Sequence, residues 1–184
     1  HTRNLVHVSV LVFLPLVIAL VTFLSNTVEF LPYLLFPPLA SGTYTLFAHP
    51  ESRYASPRRF VGGLTTGAIC GWVALEITAR YWYGVAPAAF QVHPGAAALG
   101  IFLTGSVTWA LDIEEPSAFS AALLVLVAGV TQPLYVLSVA VSTAIIAGVF
   151  LVWRRHFYER RARYLYQSTR GDDHVLVPMR GADP

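Results

Sequence analysis

Between Pro133 and Trp153 the chain carries no charged side chain, and apolar stretches of similar character recur along its length. Lipid leaves such a chain few options. In hydrocarbon every backbone N–H and C=O must find a partner within the protein, so only helices and closed barrels span a membrane. A helix needs about 20 apolar residues to cross. Six segments approach that length: Leu5 to Leu24, Leu31 to Phe47, Phe60 to Trp82, Ala96 to Leu111, Ser117 to Val130 and Pro133 to Trp153. Of 184 residues, 12% are charged and 55% hydrophobic, against about a quarter charged in soluble domains. The expected fold is all-α, a polytopic transmembrane bundle of about six segments over residues 1–153, followed by a basic tail at 154–184. The first segment has no small-residue cleavage pattern after it, so it reads as a retained span rather than a signal peptide.

All twelve basic residues are arginine. In a six-span arrangement Arg3, the loop with Arg53, Arg58 and Arg59, and the tail from Arg154 fall on one side, leaving Arg80 opposite. Positive residues favour the cytoplasmic side. A multi-pass plasma-membrane protein with both termini in the cytoplasm is therefore expected. Tyr81, Trp82 and Tyr83 fit an interfacial aromatic belt. "LDIEEPS" brings Asp112, Glu114 and Glu115 to the side of Arg58 and Arg59, where ions can pair. Glu76 and Arg80 are spaced for a local pair on a helix. Gly63, Gly67 and Gly71 share one helix face, which permits the close packing of small residues between lipid-embedded helices. That face is expected to pack within the chain or, as a second possibility, against another copy in a homo-oligomer.

Two segments are interrupted at corresponding places. Dividing six spans into halves of three gives a 3+3 inverted repeat, and the second span of each half is short or broken. One holds Pro37-Pro38-Leu39-Ala40-Ser41-Gly42; the other opens Glu115-Pro116-Ser117-Ala118-Phe119-Ser120. Such paired interruptions point to a transporter's binding site. Proline suits the first turn of a helix and disrupts its interior. Helix starts carry partial positive charge and bind anions through free N–H groups. The N–H groups of Ala40 to Gly42 and those near Phe119 are expected to be free, with Ser41, Thr43, Ser117 and Ser120 adding hydroxyls.

The stretch "LASGTYTLFAHPESRYASPRRFVGG", Leu39 to Gly63, resembles a region of the HPP family. There a small-residue stretch precedes a loop ending Gln-Pro-Arg-Asn and then paired glycines. Pro50, Ser52, Ala55, Pro57, Arg58, Gly62 and Gly63 stand where that pattern expects them. "EPSAFSAALL", Glu115 to Leu124, resembles the family's His-Pro-Pro-Ala-Gly-Ala-Thr-Ala-Leu-Leu motif. Glu115 replaces the motif histidine, Ser117 its second proline, Phe119 its glycine, Arg59 the loop asparagine and Leu64 a frequent histidine. "VHPGAAAL", His93 to Leu99, also contains His-Pro but falls a span too early. The resemblance implies an integral membrane protein, and members in photosynthetic lineages are linked to nitrite transport.

The function expected from these features is a transporter or channel for a small inorganic anion, with nitrite as the named substrate. The anion would sit between two half-helix N-termini near the bilayer midplane. Ala40, Ser41, Gly42, Thr43, Ser117 and Ser120 would bind it, Arg58 would offset the acids, and Glu115 would couple a proton. The alternative is a structural or regulatory membrane module that transports nothing and whose basic tail meets a partner or anionic lipid. No HExxH, GxSxG, P-loop or cysteine pair is present, and His49, His93 and His156 lack metal-ligand spacing. The lone Cys70 excludes an intrachain disulfide. No enzyme activity, cofactor, metal or nucleic-acid partner is expected; the partners are the bilayer and the anion.

Overall fold

Proline opens most of the helices. A computed structural model describes residues 2–27, 36–49, 55–83 and 92–155. These form α1 (Thr2–Thr27), α2 (Pro37–Ala48), α3 (Pro57–Thr78), α4 (Pro94–Ala110), α5 (Pro116–Ala128) and α6 (Leu134–Trp153). A π-helical turn, Ala79–Tyr83, continues α3. In α2, α3, α4 and α5 the first residue is proline and the preceding residue is extended. Proline's fixed φ suits that position, and it brings no N–H that would otherwise lack a partner. In lipid each such orphan is costly, so this start is well matched to a membrane.

The protein is an all-α transmembrane bundle, as expected. Pro57–Trp82 and Leu134–Trp153 are each long and apolar enough to cross a bilayer, and Pro94–Ala110 and Pro116–Ala128 are shorter apolar helices. The expected interruption at Pro37-Pro38 is the beginning of α2; residues 31–35 lie outside the described residues. So do Pro50, Ser52, Arg53 and the tail from His156. Contacts divide the chain into His1–Val149 and Phe150–Pro184. In the second unit the rings of Phe150 and Trp153 stack with centroids 6.0 Å apart.

Within the first unit α3 is central: it packs on α5 and α4 and, less extensively, on α2. The reason is its glycine face. A Cβ at Gly67 would overlap the Ala118 carbonyl, and one at Gly71 would lie 2.8 Å from the Ala122 Cα. Both alanines are fully buried on α5. Small residues on both helices bring the backbones together, the mode expected in lipid. Gly67 and Gly71 are thus taken up by α5 of the same chain, and Gly63 by the segment that leads into it. α1 packs on α2, burying Val17 and Val21 while Leu11, Val12, Leu16, Leu20 and Phe23 point outward, which suits lipid.

Four buried threonine hydroxyls are satisfied within their own helices. Thr43 donates to the Leu39 carbonyl, Thr104 to Gly100, Thr108 to Thr104 and Thr143 to Val139, at 2.6–2.7 Å. This back-bonding lets a hydroxyl sit inside a helix bundle without a partner on another helix. Among the described residues no ion pair joins Glu76 and Arg80, and the π-helical turn begins between them, at Ala79.

Candidate site at the start of α5

The chain from α4 to α5 turns through one residue in the left-handed region. Asp112 has φ 51°. Around it the Ile113 N–H donates to the Thr108 carbonyl at 3.0 Å and the Asp112 N–H to Trp109 at 3.2 Å. This is the bonding of a Schellman helix end, whose left-handed residue is usually glycine. The end of α5 has the usual form, with Gly129 at φ 61°. Asp112 accepts the less favourable conformation and gains a partner on α3: Arg59 Nη2 donates to both its carboxylate oxygens at 2.9 Å. The expected pairing of acidic and arginine loops therefore occurs, through Arg59.

The connection then lies along α3. A Cβ at Gly62 would meet Ile113 at 3.4 Å, and one at Gly63 would lie 2.6 Å from the Glu115 Cβ and 3.0 Å from the Ile113 carbonyl oxygen. The paired glycines thus seat the segment that delivers Glu115. Glu115 is 2% exposed and caps α5. Its Oε1 accepts from the Ser117 hydroxyl at 2.6 Å and from the Ser117 N–H at 3.4 Å. Burial pushes the Glu115 carboxyl above its ordinary range, and the Ser117 bonds draw it part of the way back.

A cavity of about 290 Å³ opens beside this cap. Gly105 and Thr108 of α4, Glu114 and Glu115, and Pro116 and Phe119 of α5 line it. Phe119 occupies the space left by Gly105, where an added Cβ would sit 3.6 Å from the ring.

The residues expected at the site separate into two groups. Gly42, Ser117 and Glu115 come together: a Cβ at Gly42 would lie 2.8 Å from the Ser117 hydroxyl and 2.7 Å from the Phe60 ring. The two proline-started short helices therefore meet, as expected. Ala40, Ser41, Arg58 and Ser120 are exposed, and the Ser41 hydroxyl donates to Pro38. Thr43 is buried with its hydroxyl bonded inside its own helix.

The expectation of free N–H groups at the two helix starts is corrected. Pro37 and Pro38 have none, and the Leu39 N–H donates to the Phe36 carbonyl at 3.0 Å. Ala40, Ser41 and Gly42 lie farther in, where N–H groups bond one turn back. At α5 Pro116 has none, Ser117 donates to Glu115, and the Ala118 N–H donates to the Glu115 carbonyl. The second start is already occupied by the chain's own carboxylate. Asp112, Glu114, Gly105 and Thr108 were not among the expected site residues. The paired glycines were the available signal for Glu115's seat, but nothing in sequence spacing indicates which α4 residues face α5.

A search against family descriptions matches the one described as "HPP, transmembrane region" over residues 2–164. No curated protein and no solved structure matches the chain.

Proposed function

The chain belongs to the HPP transmembrane family, and from that premise we propose that it moves a small solute across the membrane through the cavity at the start of α5. The solute we name is nitrite, which the family resemblance suggests. One observation carries the reading: a carboxyl buried in a bundle of apolar helices forms part of a cavity wall. An ionisable group buried among apolar helices is expensive, and in membrane proteins such groups mark solute and proton paths. The anion would not be held by helix N–H groups, since both starts are closed. Glu114, Glu115, Ser117 and Thr108 are the polar groups at or beside the cavity.

The arginine distribution supports a plasma-membrane protein with both termini in the cytoplasm. The test of transport is uptake of labelled nitrite into proteoliposomes holding the full chain, compared with protein-free vesicles. Saturable uptake that Gly105→Leu abolishes, by filling the cavity, supports the reading. Correctly folded protein that moves neither nitrite nor formate, nitrate or chloride removes it. The closed packing of both helix starts favours one competitor, a membrane module that transports nothing, and that inert result is what it expects.

A further inference from the structure

The acids on the cavity wall restrict what can enter. Glu114 and Glu115 both contribute to it, and a bare anion beside ionised carboxylates in a low-dielectric surrounding meets strong repulsion. We propose that the cavity takes small anions of weak acids together with one proton, nitrite and formate among them, and turns away anions of strong acids such as nitrate and chloride. This rests on the transport reading above and specifies its substrate class.

The geometry of Glu115 provides the means. Both Ser117 bonds fall on Oε1. Among the described residues Oε2 accepts no hydrogen bond, so it is the oxygen left to carry a proton. A protonated Glu115 keeps Oε1 as an acceptor for Ser117 and offers Oε2–H as a donor to an oxyanion. Burial favours this neutral form.

Among the described residues no neighbouring charge bonds to Glu115. α3 contributes Arg58, which is exposed, and Arg59, whose Nη2 is held by Asp112 while its buried Nη1 has no partner. α2, α4 and α5 contain no acidic or basic residue, and the Tyr44 phenol of α2 is exposed. Glu114 is the other acid on the wall.

The step balances. The Oε2–H bond of Glu115 breaks as an O–H bond forms on the anion, leaving a Glu115 carboxylate and a neutral acid. A proton from the aqueous side restores Glu115. One anion and one proton cross together, and no net charge moves. Nitrite and formate are the conjugate bases of weak acids, near enough to a carboxyl group in acidity for a proton to pass to them from Glu115. Nitric and hydrochloric acids hold theirs far too weakly to take one from Glu115.

The experiment uses the full chain in proteoliposomes with a potassium–valinomycin voltage clamp and an internal pH dye. Nitrite, formate, nitrate and chloride uptake are each measured above protein-free vesicles, because neutral weak acids also leak through lipid. Nitrite and formate uptake should rise by about tenfold per unit fall in external pH near neutrality, one proton accompanying each anion. Uptake should acidify the lumen and ignore the clamped voltage, while nitrate and chloride stay at background. Glu115→Gln keeps the Ser117 bond but cannot cycle a proton; it should lose most of the uptake and its pH dependence, with Glu115→Asp retaining part of both. Nitrate moving as fast as nitrite, or a nitrite current that follows voltage, overturns the weak-acid rule and leaves transport standing. Folded protein that moves none of the four overturns both. If Glu115→Gln fails to fold, the wild-type nitrite-to-nitrate ratio and voltage independence decide the matter.

Discussion

Gly67→Ala tests the packing on which the site depends. The new methyl would overlap the Ala118 carbonyl and lie 2.8 Å from its carbon, whereas ordinary contact begins at 3.4 Å. The shortfall is 0.6 Å at that carbon and larger at the carbonyl oxygen, and it is met by backbone, which cannot swing aside as a side-chain end can, so α3 and α5 must part. A gap of that size forfeits about a quarter to a half of each dispersion contact along the seam. Overpacking of this kind costs about 1–3 kcal/mol, and alanine's better helix propensity returns roughly 1 kcal/mol. A net loss of about 0–2 kcal/mol, centred near 1 kcal/mol, is expected, or roughly 2–4 °C in melting temperature for a chain of this size. The assay is thermal melting of the full chain in nanodiscs, followed by tryptophan fluorescence. Gly148→Ala is the matched control, because nothing lies within 4 Å of its added methyl; it should leave the melt unchanged or raise it by a few degrees through propensity alone, about 1 kcal/mol. A Gly67→Ala protein melting at or above the wild type would refute the close approach of α3 and α5.

Asp112 allows a two-variant comparison. Asp112→Ala keeps the left-handed conformation and loses the Arg59 pair, and should destabilise by about 1–2 kcal/mol in chemical denaturation. Asp112→Gly loses the same pair but relieves the backbone, and because Asp112 is 72% exposed in that pair, it should stay within about 1 kcal/mol of wild type. Stability should also depend on pH through Glu115. Its folded-state proton is held above the ordinary 4.5, so its contribution is complete below that value and is lost as pH rises through the raised one. Melting temperature should therefore fall as pH climbs from about 4.5, and Glu115→Gln should flatten that part of the profile. The Cys70 thiol, buried in α3, should resist a membrane-permeant maleimide in native protein and react after denaturation, as mass spectrometry would report.

Much of the helical framework was legible because lipid imposes a single local rule. Apolar runs of sufficient length must be helices, and prolines mark where helices can start, so α3 to α6 fall close to the expected segments. The glycine spacing on α3 was equally plain. The state of the helix starts was not. Whether an N–H is free depends on where the side chain before the proline turns, and Glu115 turns inward to cap its own helix. Arg58 and Arg59 could not be told apart as partners for the acidic loop, since the choice follows from the rotation of α3 at its first turn. The cavity, built from α4 residues facing α5, depends on a helix rotation that a uniformly apolar α4 does not encode as a stripe.

The departures from the family motif have a shared logic that can be measured. Four of the five departing residues have partners in this chain: Arg59 holds Asp112, Glu115 and Ser117 bond to each other, and Phe119 fills the space beside Gly105. Restoring the motif one residue at a time should therefore cost more than restoring it in pairs. Ser117→Pro removes both donors to Oε1 and leaves a buried carboxyl without its partner, a loss of about 1–3 kcal/mol. Backbone geometry is not the obstacle, because α2 already begins with two successive prolines. Adding Glu115→His to Ser117→Pro removes the stranded carboxyl and should recover part of that loss. A double-mutant cycle in nanodiscs should give a coupling of about 0.5–3 kcal/mol, as for residues that share a contact. If the two substitutions instead add without coupling, Glu115 and Ser117 do not act as a unit, and the capped start of α5 is not what holds the carboxyl at the cavity wall.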